Sequence, residues 1–258
     1  MNIFRWLAVT FSMYSKIPMP VFEWKEDDMA HSLTFFPAVG AVIGGLVYIL
    51  NSVPHVNTLP VAVRIILTLA VPLIITGGFH VDGFMDTEDA LHSYASKDKK
   101  LEILKDAHIG AFAVISLLKW ELLYAAGITG ILLSEKCDER LLAILGMSFV
   151  LSRALSGLTS ILFTKARKSG MLYEETKNKQ RGTVFALTLW VLFSCAVMVY
   201  MNVLYGLLVI LSFAGFSIYY RYKAYKEFGG VTGDTAGFFL TVGEIVSTLV
   251  LAITLYVF

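Results

Sequence analysis

The sequence predicts an all-α, polytopic transmembrane bundle of about seven spans, with its N-terminus in the cytoplasm. Three observations carry this. Hydrophobic residues make up 57% of the 258 and charged residues 16%, with a mean hydropathy of +0.70, whereas soluble domains average about 25% charged residues. Apolar runs long enough for a helix to cross the hydrocarbon core recur along the chain. Strand alternation is absent, which argues against a lipid-facing barrel and leaves helices to satisfy the backbone in lipid.

The elements follow in order. The start, "MNIFRWLAVTFSMYSKIPMP", has too short an apolar core for a signal peptide and no small-x-small cleavage site. With Phe4, Trp6 and Phe11 it suits a helix lying along the membrane interface or the first helix of the bundle. Spans are expected at 33–53, 61–79, 109–133, 141–163, 184–203, 205–220 and 236–258, the sixth being short. Polar connections lie at 80–108, 134–140, 164–183 and 221–235. Lysine and arginine concentrate in three of these: Lys97, Lys99, Lys100 and Lys105; then Lys165, Arg167, Lys168, Lys177, Lys179 and Arg181; then Arg221, Lys223 and Lys226. Seven spans put those three connections and the N-terminus on one side, and the positive-inside bias makes that side cytoplasmic. The chain thus reads as one integral membrane domain, 1–258, with no internal repeat of the transporter kind. The lipid bilayer is its expected partner. A net charge of +1 without a basic, aromatic-interleaved stripe argues against nucleic acid. Cys137 and Cys195 form no CxxC or disulfide framework.

The connection 80–108 opens on an unusual stretch, "TGGFHVDGFMDTEDALHSYAS" (76–96). Asp82, Asp86 and Asp89 are spaced i, i+4, i+7, so a helix carries all three carboxylates on one face. Glu88 lies off that face and is expected to meet water. Unpaired like charges in this number call for a cation, and hard oxygen ligands suit Mg²⁺ or Mn²⁺, which also hold phosphate oxygens. Zinc would want more histidine or cysteine. His80 reads equally as a ligand, a donor to phosphate or a structural residue. The bland alternative is a solvated acidic helix start favoured by the helix dipole. Gly77, Gly78 and Gly83 weigh against it, because close approach of backbone to a ligand needs glycine and a solvated helix does not.

Other stretches add to this side. "FGGVTGDTAGFF" (228–239) is a glycine-rich turn opening a helix. Thr232 or Asp234 could simply cap that helix; alternatively its N–H groups take phosphate while Asp234 helps hold metal. "KDAHIGAF" (105–112) brings Lys105, Asp106 and His108 to the same surface. Lys105, Arg167 and Arg181 either neutralise phosphate or merely follow the positive-inside bias. Within spans, Lys119, Glu121, Arg153 and Glu244 are costly charges. Glu121 would suit Arg153 as a partner, and Glu244 could reach the polar cavity of Asp234.

Acids for a divalent cation, glycine turns and flanking bases together describe phosphoryl transfer at a membrane surface. "GGFHVDGFMDTEDAL" (77–91) resembles the GGxHxDGxxDTxDAL signature of the cobalamin synthase family, the adenosylcobinamide-GDP ribazoletransferases. "SKIPMP" (15–20), "FFPAVGAVIGG" (35–45), "ILKDAHIGAFA" (103–113) and "GGVTGDTAGFFLTVGE" (229–244) resemble further elements of that family. Ser15, Lys16 and Ala113 depart from its usual residues. The resemblance implies a multi-pass enzyme of a prokaryotic inner membrane that needs Mg²⁺, with its site facing the cytoplasm. It would join adenosylcobinamide-GDP to α-ribazole or its 5′-phosphate and release GMP. It implies Asp82, Asp86 and Asp89 as metal ligands, with His80, Asp106 and Asp234 in the site. Gly77, Gly78, Lys105, Thr232 and Gly233 are expected to bind substrate, and Glu244 to be a further metal ligand. A homo-oligomer is compatible with all of this. The rivals are a CDP-alcohol phosphatidyltransferase, whose compact Ala-Arg element is missing here, an aspartate-rich prenyltransferase, and a transporter using Lys119, Glu121, Arg153 and Glu244.

Overall fold

The computed structural model describes residues 3–24, 28–29, 31–54, 57–177 and 181–258; Lys179 lies outside them. Eleven α-helices appear among the described residues, and the only β pairing there is an isolated bridge between Lys165 and Val231. Helix α1 (Ile3–Tyr14) buries Ala8, Val9, Phe11 and Tyr14 while Ile3 and Phe4 stay exposed. It is therefore amphipathic and packs on the short 3₁₀ turn Ser32–Phe35. Next come α2 (Phe36–Ser52), α3 (Val61–Thr76), α4 (Phe79–His92), α5 (Lys97–Ile103), α6 (Ala111–Leu132) and α7 (Glu139–Leu162). The remainder are α8 (Met171–Thr176), α9 (Arg181–Met201), α10 (Val203–Phe228) and α11 (Gly233–Val257).

Six helical segments are long and apolar enough to cross a membrane: Ser32–Ser52, α6, α7, α9, α10 and α11. Helix α3, about 24 Å long at ~1.5 Å per residue, falls short of that length alone, and a seventh crossing is counted only if α3 and α4 together form one broken span. Helix α4 leaves α3 at 93°. Two consecutive glycines in the left-handed region, Gly77 (φ 64°) and Gly78 (φ 79°), make that bend, a conformation other residues adopt at a cost. The expected span 205–220 proves longer, because α10 runs on to Phe228, its last turns packed by Ala224 and Phe228.

The three basic connections do gather at one end. Val231 donates to the Thr164 carbonyl (2.8 Å) and Ala166 to that of Val231 (3.0 Å). Lys97 reaches the Tyr225 carbonyl (3.2 Å), and Lys100 pairs with Glu227 (2.5 Å). At the opposite end Lys136 donates to the Leu255 carbonyl (2.7 Å) and Tyr256 to that of Gly130 (2.9 Å).

Helices α7 and α11 are buried along most of their length and the others wrap them. Helices α2 and α7 touch through glycine: a Cβ on Gly40 would overlap the Phe149 carbonyl, and one on Gly44 would overlap Gly146. In lipid no hydrophobic force drives helices together, so backbone contact at small residues supplies the packing. Between α7 and α11 lies a buried ion pair, Arg153 Nη1 to Glu244 Oε1 at 2.6 Å, with Ser152 Oγ donating to the same oxygen at 2.6 Å. Arg153 also reaches the Phe149 carbonyl (3.0 Å). The expected partner, Glu121, makes no ion pair among the described residues. Helix α8 is held by Glu175, whose Oε1 accepts from Ser32 Oγ (2.8 Å) and from the Tyr14 hydroxyl.

Two outcomes follow from these buried charges. Arg153→Met strands the Glu244 carboxylate and should destabilise the protein by about 3–5 kcal/mol, while Arg153→Met with Glu244→Leu should recover most of that in thermal melts in detergent. A double variant no more stable than the single one would show that the charges do not depend on each other. Burial raises the Glu175 carboxyl to about 7, against the bonds from Tyr14 and Ser32 that favour its ionised form. An unfolded glutamate ionises near 4.5, so the folded state loses stability as pH rises from there to about 7, by a limit on the order of 3 kcal/mol. Glu175→Gln should match wild type at pH 4.5 and exceed it at pH 8; equal melting curves at both would remove the burial cost.

Candidate active site

Helix α4 crosses the start of α11 at backbone distance. A Cβ on Gly83 would stand 2.9 Å from the Cα of Asp234, and one on Gly237 would overlap the His80 carbonyl. Glycine at both positions is what permits the crossing. It sets Asp234, the first acid of α11, beside the acids of α4.

Asp82, Asp86 and Asp89 share one face of α4: Asp82 is exposed and the other two are half-buried. Among the described residues none of the three has an ion pair or a side-chain hydrogen bond. Burial first, and then the charges of Asp82, Asp234 and Asp89, push the Asp86 carboxyl up to about 6. The four aspartates therefore act as one electrostatic cluster. No group of three acids or histidines among the described residues converges into a preformed metal cage. The donor set still fits Mg²⁺, which needs only one or two carboxylates, keeps waters and takes substrate phosphate oxygens. Carboxylates left without a countercharge are what such an ion would neutralise.

Asp234 turns from this face into a cavity of about 220 Å³ enclosed by α1, α2, α4, α7, α8 and α11. Its Oδ2 accepts from Arg167 Nη2 and from Thr232 Oγ1, each at 3.2 Å. Arg167 Nη1 is buried with no partner. Thr232 is largely committed to local structure: its hydroxyl caps α11 by accepting from Thr235 N (3.2 Å), and Thr235 Oγ1 answers from Thr232 N (2.9 Å). The capping expectation for Thr232 thus holds, and Gly233 lines the cavity beside it. Gly77 ends α3 and Gly78 is the N-cap of α4, whose N-terminus no side chain caps, leaving its first N–H groups available to an anion. The stem of Lys16 packs over Gly77.

His80 lines the same cavity; it is buried, with Tyr14, Phe36 and Phe79 around it and neither ring nitrogen bonded. Other expected residues fall elsewhere. Lys105, Asp106 and His108 are exposed, and Asp106 Oδ1 lies 2.6 Å from His108 Nδ1. Their loop still borders the cluster, since a side chain at Gly110 would overlap the Asp89 carboxylate. Glu244 does not join the aspartates. It lies ten residues, about 15 Å, along α11 from Asp234, and Arg153 holds it. Glu88 corrects a second expectation. It does lie off the aspartate face, but it is buried against α6, accepting from Ser116 Oγ at 2.6 Å with Lys119 Nζ at 3.8 Å. Lys119 with Glu88 and Arg153 with Glu244 are matched pairs rather than a transport pathway. Tyr14, Phe36 and Glu175, which line the cavity, carry no site signal of their own in the sequence. Tyr14 and Phe36 do stand in or beside the motifs "SKIPMP" and "FFPAVG"; Glu175 is one acid in a basic connection.

Comparison with known proteins gives the family. The family model for cobalamin-5-phosphate synthase matches residues 6–252. The adenosylcobinamide-GDP ribazoletransferase of Lachnoclostridium phytofermentans is 36% identical over 254 residues, 96% of this chain and 95% of that protein. Proteins of the same name from Clostridium perfringens strain 13 and Listeria monocytogenes serotype 4a are 34% and 32% identical, covering 98% and 90% of this chain and 100% and 91% of their own lengths. No solved structure matches. With a family model spanning nearly its whole length and relatives above 30% identity end to end, the chain belongs to the cobalamin-5-phosphate synthase family.

Proposed function

We propose that this membrane protein transfers the phosphoryl-linked cobinamide of adenosylcobinamide-GDP to α-ribazole or α-ribazole 5′-phosphate, yielding adenosylcobalamin or its 5′-phosphate and GMP. The observation that carries this, beside family membership, is the meeting of the α4 aspartates with Asp234 and Arg167 at the mouth of one cavity. A ribazole hydroxyl oxygen bonds to the phosphorus next to the aminopropanol arm. The bond from that phosphorus to the bridging oxygen breaks, and the oxygen leaves on GMP. Among the four aspartates Asp234 alone lines the cavity, so it is the one placed to take the hydroxyl proton.

Asp82, Asp86 and Asp89, with Asp234, would hold Mg²⁺ (or Mn²⁺), which when bound neutralises diphosphate charge and stabilises the leaving GMP. The uncapped start of α4 at Gly77 and Gly78 binds phosphate oxygens through backbone N–H groups. Arg167 offers a charged donor beside Asp234 in the cavity, and Lys16 packs over Gly77 at the margin. In this reading the site opens to the cytoplasm of a prokaryotic cell, since the basic connections share its end of the bundle. Of the four charges a transport pathway would use, Arg153 and Glu244 are tied to each other and Lys119 stands beside Glu88, which gives the transport alternative no support.

The test is GMP release by purified, detergent-solubilised protein given both substrates, with Mg²⁺ and with EDTA, alongside Asp82→Ala. Release should require ribazole and metal and fall at least 100-fold in the variant. Release that persists in EDTA or in folded Asp82→Ala would reject the acidic cluster as the reaction centre.

A further inference from the structure

The cavity beside Asp234 has two ends of different chemistry. At one end Tyr14, Phe36, Phe79 and His80 form an aromatic box: His80 lies 5.5 Å from Phe36, 5.4 Å from Phe79 and 6.1 Å from Tyr14, ring centroid to centroid. At the other end Arg167 and Asp234 meet the aspartate cluster. Each end contains an unanswered polar group. His80 is 7% exposed and both its ring nitrogens are buried without a partner, while Arg167 Nη1 is buried and unpartnered as well. Leaving such groups unbonded is costly, and native proteins seldom do so without a ligand, water or ion to answer them.

A ligand that answers both must be flat and apolar at one end, with a ring nitrogen to accept from or donate to an imidazole. At its other end it must carry hydroxyls or a phosphate. A corrinoid ring is too large for about 220 Å³. A guanine presents a full set of amide and amine groups, and the aromatic box offers little to bond them, because the Tyr14 hydroxyl is already given to Glu175. We infer that this cavity is the acceptor site. It takes an N-glycoside of an apolar fused aromatic base, with the base against the wall made by Tyr14, Phe36 and Phe79, its free ring nitrogen toward His80, and its sugar toward Arg167 and Asp234. The identification of that glycoside as the ribazole rests on the proposed function. The donor diphosphate then occupies the aspartate face, so the two substrates approach Asp234 from different sides.

The test uses benzimidazole as a probe of the box alone and α-ribazole as the full ligand. Calorimetry on the purified protein should show α-ribazole binding without donor or metal. Benzimidazole should inhibit GMP release competitively against ribazole and not against adenosylcobinamide-GDP. His80→Phe, which keeps the ring and removes the nitrogens, should raise the Kd and KM for ribazole at least tenfold. The KM for the corrinoid should change less than twofold. Ser160→Leu fills the cavity from α7 and should abolish ribazole binding. Ribazole binding without GMP release would leave the cavity assigned and refute the proposed reaction. GMP release with no benzimidazole competition, or with ribazole KM unchanged in folded His80→Phe and Ser160→Leu, would overturn the assignment.

Discussion

The site depends on one close contact, the crossing of α4 over the first turn of α11. Gly83 and Gly237 remove the side chains that would hold these helices apart, and in lipid this backbone contact is itself a packing force. Once the helices touch, Asp234 must stand beside the face of α4 that carries Asp82, Asp86 and Asp89. The paired glycines 77 and 78 supply the other half of the constraint. By turning α4 through 93° they lay its acids across the end of the bundle instead of burying them within it. Charge that would be prohibitive in hydrocarbon is thereby held at a surface that water, metal and phosphate can reach.

The interior follows the opposite rule. Every strongly buried charge there meets an internal partner: Arg153 with Glu244, and Glu88 with Ser116 and Lys119. These pairs fix the helices around α7 and α11 without offering a free ligand. The aspartates of α4 are left without countercharge, and that contrast separates the acids proposed to react from the structural ones more sharply than burial does. Between the two regions lies the cavity, where His80 and Arg167 keep buried nitrogens unbonded. A rigid, glycine-packed scaffold can sustain such groups where a looser one would rearrange to satisfy them.

Much of this was legible in the chain itself, and the reasons for the exceptions are physical. Hydropathy gave the spans because lipid imposes their length, and the i, i+4, i+7 spacing gave the aspartate face because helical geometry is local. Glu88 was placed on the correct side of α4 but in the wrong medium. Periodicity says which residues share a face and not what covers it, and here α6 covers the second face. Glu244 found Arg153, 91 residues earlier, and Glu175 found Tyr14, 161 residues earlier. Such partners are set by how helices assemble, which no local pattern encodes. Thr232 could be read both as a cap and as a phosphate ligand, since a glycine-rich helix start serves either use; the reciprocal bonds with Thr235 show the first.

The most direct measurement is Mn²⁺ binding, followed by the loss of the free-ion EPR signal, to purified protein alone, with adenosylcobinamide-GDP, and in Asp86→Asn. Because the carboxylates are not assembled into a cage, they should bind the ion weakly by themselves. They should bind it at least tenfold more tightly when the diphosphate completes the shell, and Asp86→Asn should lose that gain. Tight binding indifferent to the diphosphate, or unchanged in folded Asp86→Asn, would contradict a metal held jointly by the aspartate face and the substrate.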